Sequence, residues 1–479
     1  MRTILDARDS SITPAVEDQP SLWSDIKESI RGSHRSYTSG PIGRSILLLA
    51  IPMVLEMLME SVFAVVDIFW VSHLGTDAAA TVGLTESLLT LIYALAIGLS
   101  IGAMAMIARR IGEGNPEGAA RAAVQAIALA LLVSTVIAVV ATPMAPKLLA
   151  IMGGSPWVIE HGSAFTRIML AGNATVVVLF MVNAIFRGAG DAAIAMRTLW
   201  LANWINIVLG PCLIFGLGPF PKMGIVGAAI ATNIGRGAGA LYALSRLVRS
   251  GGRFDVRWRH LRLEPSIMLR LLRLSGTGTF QVFIGMASWI GLVRIISSFG
   301  SNAVAGYTFG IRVILFALLP SWGMANAAAT MVGQALGAGN PERAERAVWK
   351  AGFYNMIFLG AVGVLFIVFA PQIIGFYTTD PDVAQYGVDC LRIVAYGFLF
   401  YAYGMVLGQS FNGAGDTWTP TVINLFVFWL WEIPLAYVLS VMLGLGPRGV
   451  FIAITIAFST LAVVSGAVFR QGRWKRKVV

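Results

Sequence analysis

About a dozen stretches of this chain, the first beginning near Ser45 and the last near Val450, stay apolar for roughly twenty residues. At ~1.5 Å rise per residue that is the length a helix needs to cross a bilayer. Inside lipid every backbone N–H and C=O must be satisfied within the segment or by a closed barrel. These runs are long and rich in Leu, Ala and Met, whereas barrel strands are short and alternating, so the fold class is all-α and polytopic, with twelve transmembrane helices. With 57% hydrophobic and 12% charged residues in 479, the composition fits a membrane protein and excludes an ordinary soluble enzyme.

The net charge of +11 is distributed as a membrane topology would place it. Arg109, Arg110 and Arg121 flank the loop after the second span, and Arg187 and Arg197 flank the one after the fourth. Arginine is dense again from Arg246 to Arg273 and basic residues from Arg470 to Lys477, while Gly300 to Gly306 and Pro371 to Gly387 carry no Lys or Arg. The positive-inside rule then puts both termini in the cytoplasm of a multi-pass cell (inner) membrane protein. The basic loops are read as topology and lipid contact; no nucleic-acid partner is expected. Cys212 and Cys390 offer no CxxC spacing, so neither a disulfide framework nor a zinc site is expected. The first 40 residues are polar, with Asp6, Arg8, Asp9, Glu17 and Asp18, and no secretory leader is expected there. Within them Ser21 to Arg31 repeats Leu22, Ile26 and Ile30 every fourth residue, consistent with a helix lying on the membrane or a disordered tail.

An internal repeat organises the whole. Asn115-Pro116-Glu117 returns as Asn340-Pro341-Glu342, 225 positions later, and the same offset relates Gly75 to Gly300, Arg167 to Arg392 and Gly172 to Gly397. It also relates FRGAGD, Phe186 to Asp191, to FNGAGD, Phe411 to Asp416. Two homologous six-helix lobes follow, of like orientation and related by a pseudo-twofold axis along the membrane normal, an architecture that suits alternating access around a central cavity. The expected division is an N-terminal tail over 1–44, an N-lobe over 45–250, a linker over 251–266, a C-lobe over 267–470 and a basic tail over 471–479. GEGNPE and GAGNPE read as tight turns in which glycine ends one helix and Asn-Pro-Glu starts the next. Asp191 and Asp416 are placed to cap the helices after RGAGD and NGAGD. No P-loop is present, because no Lys-Ser/Thr follows a glycine-rich turn and no strand precedes one.

The first apolar run carries three acids, Glu56, Glu60 and Asp67, spaced by four and seven and therefore along one stripe of a helix. An ionised side chain near the bilayer centre costs ~2.5 to 3.5 kcal/mol on insertion scales, so the stripe must face protein or water and be compensated by a proton or a cation. That makes it a candidate ion-coupling element. By the repeat, Glu56 corresponds to Gln281, Glu60 to Gly285 and Asp67 to Leu292, which concentrates acidity in the first lobe. Glu432, beside Phe428, Trp429 and Trp431, reads either as a carboxylate attracting organic cations to an aromatic cavity or as a partner of Arg294 or Arg312. Met57 and its fellow methionines read either as the lining of a deformable pocket or, for most of them, as lipid-facing and packing residues. His34, His73, His161 and His260 fall in the tail, at a span end or in loops, with no ligand spacing, so an integral-membrane enzyme is disfavoured.

The GNPE loops, the RGAGD and NGAGD turns, VDIFWVSHLG and GQALGAGNPERA resemble the multidrug and toxic compound extrusion (MATE) family over roughly Ser45 to Arg470. The resemblance implies a twelve-helix, V-shaped, two-lobed fold and an antiporter exporting organic, often cationic, amphipathic compounds against H⁺ or Na⁺, with no organic cofactor. By that resemblance Asp67 is the first-helix aspartate of the N-lobe ion site, with Asn206 and Thr232 as its companions. The same three would be the metal ligands were Na⁺ the coupling ion. Where many relatives have an aspartate four residues after the asparagine, this chain has Gly210, and Glu60 or Glu56 could substitute. The expected substrate contacts are Glu432, Trp429, Gln281 and Met57; the partners are small organic molecules and lipid, and the chain is expected to be monomeric. A flippase of lipid-linked oligosaccharide is the related alternative.

Overall fold

The structure is a computed structural model, which describes residues 22–33, 35–249, 252–477 and 479. Asp6, Arg8, Asp9, Glu17, Asp18, Ser21 and His34 lie outside the described residues. A short helix α1 (Leu22–Arg31) precedes α2 (Ile42–Ser72), α3 (Thr76–Gly112), α4 (Pro116–Ile151), α5 (Pro156–Ala171), α6 (Asn173–Ala189), α7 (Ala192–Phe215) and α8 (Ile225–Val248). The second half contains α9 (Pro265–Ser297), α10 (Ser301–Gly337), α11 (Pro341–Gly375), α12 (Pro381–Ala395), α13 (Phe398–Gly413), α14 (Trp418–Asn424), α15 (Ile433–Tyr437) and α16 (Pro447–Arg470). The segments Leu425–Glu432 and Val438–Met442 are wound as π-helix, so α14, α15 and these segments form one crossing.

Ten segments are long and apolar enough to cross a membrane, and α12 with α13, bent by 61°, makes an eleventh. The twelfth crossing is α8, which carries a buried arginine, Arg236, in its middle. The repeat is visible in the backbone. Gly172 and Gly397, repeat counterparts, are the residues at which α5 gives way to α6 and α12 to α13. The two GNPE turns are alike: Gly114 and Gly339 take left-handed φ of 68° and 70°, which a side chain would resist. The Asn115 and Asn340 side chains then accept from Gly118 N at 2.7 Å and Arg343 N at 3.0 Å, capping α4 and α11. Asp416 accepts from the Thr419 hydroxyl at 2.7 Å. Asp191 faces the Arg253 guanidinium at 3.4 Å and makes no side-chain cap bond to α7.

The lobes, α2 to α8 and α9 to α16, meet along the halves of their helices nearest the basic loops. Glycine permits the approach: a Cβ on Gly112 would fall 2.1 Å from the Gln334 carbonyl oxygen, and one on Gly98 would fall 2.4 Å from Thr279 Cα. Across the same seam Thr330 Oγ1 donates to the Arg187 carbonyl and Gln334 Nε2 to that of Gly188, both at 3.0 Å. Arg343 of α11 donates to the carbonyls of Tyr37, Ser39 and Gly40, tying the segment before α2 to the second lobe.

Helix α2 belongs to both lobes. Its first half, Ile46, Leu49, Ala50 and Met53, is packed into a core made with Ala325, Ala328, Met331 and Val332 of α10. Beyond Pro52 the helix turns its polar stripe to the first lobe, where the Trp200 indole of α7 donates to the Leu55 carbonyl at 3.1 Å. Pro52 has no N–H to give the preceding turn, so this changeover sits where the helix is weakest.

Candidate functional site

A cavity lies between the lobes, in two compartments that share Ile101, Leu319, Trp322 and Gln409 as a common wall. The compartment on the first lobe, about 850 Å³ including the space open to solvent, is lined by Glu56, Met57, Glu60, Asn183 and Arg187 among others. The compartment on the second lobe, about 1520 Å³ on the same basis, is lined by Gln281, Met286, Trp289, Asn424, Phe428 and Glu432 among others. The repeat-related Glu56 and Gln281 thus occupy equivalent walls, one charged and one neutral.

The stripe on α2 is built as a ladder of partners from α6, α7 and α8. Glu56 is 1% exposed and its Oε1 accepts from Arg187 Nη1 at 2.8 Å and from Asn183 Nδ2 at 3.2 Å. One turn on, Glu60 Oε1 accepts from Arg236 Nη2 at 2.9 Å and its Oε2 from Asn203 Nδ2 at 3.1 Å. Burying a guanidinium and a carboxylate together compensates each for lost hydration, and removing either leaves the other stranded. Arg187 had read as a topological charge in the sequence, and Arg236 drew no notice there. The only signal was their position inside apolar runs, since a buried arginine in a bilayer usually has a partner.

Asp67 stands apart. Among the described residues it has no hydrogen-bond or ion-pair partner, although Arg236 and Glu86 lie within electrostatic range of it. Glu86 of α3, exposed and also facing Arg312 electrostatically, is a further acid that the sequence reading passed over. Asn206 and Thr232 are brought together, Asn206 Nδ2 donating to Thr232 Oγ1 at 2.8 Å, but neither bonds to Asp67. Gly210 leaves open space, with Asn206 Oδ1 the nearest atom to a Cβ placed there, at 3.7 Å. Among the described residues no three His, Cys, Asp or Glu side chains cluster as a metal site.

In the second lobe Glu432 is 3% exposed and lines the larger compartment. The sequence offered Arg294 or Arg312 as its partner; the structure corrects this, because among the described residues Glu432 makes no ion pair, and both arginines are exposed. Gln281 also lines that compartment, its Oε1 buried without a partner. Met57 lines the smaller one. Trp429 is placed elsewhere: its indole donates to the Ile284 carbonyl of α9 at 3.0 Å and it is absent from the cavity wall, where its neighbour Phe428 stands instead. The π-winding of Leu425–Glu432 shifts which side chains face inward relative to a 3.6-residue period.

A family model described as MatE matches residues 52–212 and 278–438, two equal blocks that fall one in each lobe. The chain is 28% identical over 444 residues to a protein of Bacillus subtilis named probable multidrug resistance protein YoeA, covering 91% of this chain and 95% of that one. It is 26% identical over 439 residues to the probable multidrug resistance protein NorM of Thermotoga maritima, covering 91% and 94%. Among solved structures, the outward-facing conformation of a multidrug resistance MATE family transporter of the MOP superfamily superposes with a TM-score of 0.86 at 29% identity, covering 92% of this chain and 98% of the other.

Proposed function

The chain belongs to the MatE family, and from that premise we propose that it is a secondary active antiporter, exporting organic cationic amphipathic compounds from the cytoplasm in exchange for an inward flow of H⁺. The observation that carries the reading is the charge of the cavity wall. Glu56, Glu60 and Glu432 line it against one guanidinium, that of Arg187, and Glu432 sits unpaired among Trp289, Phe428 and Tyr401. A desolvated carboxylate beside aromatic faces favours an organic cation. A lipid-linked anionic cargo, the related alternative, would call for a basic wall. The relatives named for multidrug resistance support export of varied compounds.

Helix α2 supplies the coupling. Its inner half is held in the second lobe and its outer half carries Glu60 and Asp67 against the first, so neutralising an outer carboxylate loosens the helix from one lobe only. Bending at Pro52 then lets α2 repack, displaces substrate and allows the lobes to rock. The basic face is the cytoplasmic one and is closed here by the interlobe seam, consistent with a state that takes up the coupling ion from outside. A proton is the favoured ion over Na⁺, because Gly210 withholds a ligand and the Thr232 oxygen already accepts from Asn206.

The test is export of a fluorescent cationic dye by purified protein in proteoliposomes, under separate H⁺ and Na⁺ gradients. Export driven by the H⁺ gradient alone supports the proposal. Translocation of a labelled lipid-linked sugar without either gradient would favour the flippase.

A further inference from the structure

Arg236 is 2% exposed at the middle of α8, and three features of its setting are unusual for a structural salt bridge. Among the described residues only Nη2 is engaged, by Glu60 Oε1 at 2.9 Å, while Nε and Nη1 are buried without a hydrogen-bond partner. Its guanidinium carbon lies 5.3 Å from the centre of the Phe63 ring on α2, a cation–π contact that holds the head group against that helix. Finally, it faces two carboxylates of α2 electrostatically, Glu60 and Asp67, as well as the Tyr93 phenol of α3. Thr232, one turn earlier on α8, is engaged with Asn206.

We infer that Arg236 is a tethered cation occupying the place between Glu60 and Asp67 that a free alkali cation would otherwise take, and that it thereby bars Na⁺ from the first lobe. The inference deepens the antiport reading and rests on the ion site that reading assigns to α2. A guanidinium stays charged at any accessible pH, so its positive charge is permanent. A second, mobile cation entering between the same carboxylates would meet that charge at short range in a medium that screens poorly. Its two unengaged nitrogens, Nε and Nη1, are donors and not acceptors, and a hard cation needs oxygen ligands. Neutralising the side chain should convert the site from one that excludes Na⁺ to one that binds it.

The experiment uses the purified full chain in detergent, melted in NaCl and in choline chloride at equal ionic strength. The native protein and Arg236→Lys are expected to melt at the same temperature in both salts. Arg236→Gln, which keeps a donor for Glu60 but not the charge, is expected to melt about 2–4 °C higher in NaCl. Arg236→Met serves as a second neutral variant should the glutamine form fail to give a monodisperse, cooperatively melting protein. Sodium-specific stabilisation of the native protein, or neutral variants that fold and show none, would overturn the inference. Dye export under a pH gradient is read separately, so a failure of the antiport reading is distinguishable from a failure of the tethered cation.

Discussion

Glu60 Oε1 and Arg236 Nη2 lie 2.9 Å apart and join the second half of α2 to the middle of α8. Two turns earlier on the same helix, Met53 is wholly buried, and a Cβ on Gly323 of α10 would fall 2.6 Å from its carbonyl oxygen. One continuous helix is thus anchored in one lobe and ion-paired to the other. In the proposed antiport, a change in its charge state would therefore act on the relation between the lobes.

The deeper pair of the ladder, Glu56 with Arg187, is expected to act mainly on stability. Arg187→Met alone should destabilise by about 3–5 kcal/mol, because it strands a buried carboxylate. The double variant Arg187→Met with Glu56→Leu should regain most of that loss. Thermal unfolding of the purified variants measures both, and equal melting of the single and double variants would contradict the pairing.

The glycine seam makes a separate prediction. Gly112→Val would drive a side chain into the Gln334 carbonyl, which is backbone and cannot yield. The basic face should therefore open. Spin labels placed across that face on α4 and α11 should report a longer mean distance than in the native protein, while an unchanged distance would refute the seam as the closing element.

Glu432→Gln should remove the carboxyl that can ionise against a bound cation in the larger compartment, and among the described residues it breaks no salt bridge. Losing a charge-assisted contact is worth about 1.5–3 kcal/mol, or roughly 10- to 100-fold in affinity. Fluorescence titration with a permanently cationic dye should show that loss, while a neutral dye of similar size should bind as before.

Much of the fold could be read from the sequence because it is fixed locally. Bilayer-length apolar runs, the Gly114 and Gly339 turns and the Asn115 and Asn340 caps each depend on residues within a few positions of one another. Even the helix breaks at Gly172 and Gly397 stood out as repeat partners. The partners of the acids did not. Glu56 and Arg187 are 131 positions apart and Glu60 and Arg236 are 176 apart, so no periodicity links them. An arginine in a chain rich in basic loops looks like a topology signal until the packing brings it beneath a carboxylate. Trp429 stands off the cavity wall for a different reason: the π-wound segment rotates the face that a regular helix would present.

Asp67 is the acid of the stripe that no described residue satisfies, and it is the group proposed to carry the coupling step. The direct measurement is dye export by native protein and by Asp67→Asn in proteoliposomes under the same pH gradient, with thermal melting confirming that both are folded. The variant is expected to melt like the native protein and to export at the rate of protein-free vesicles. Gradient-driven export by Asp67→Asn at the native rate would contradict that role.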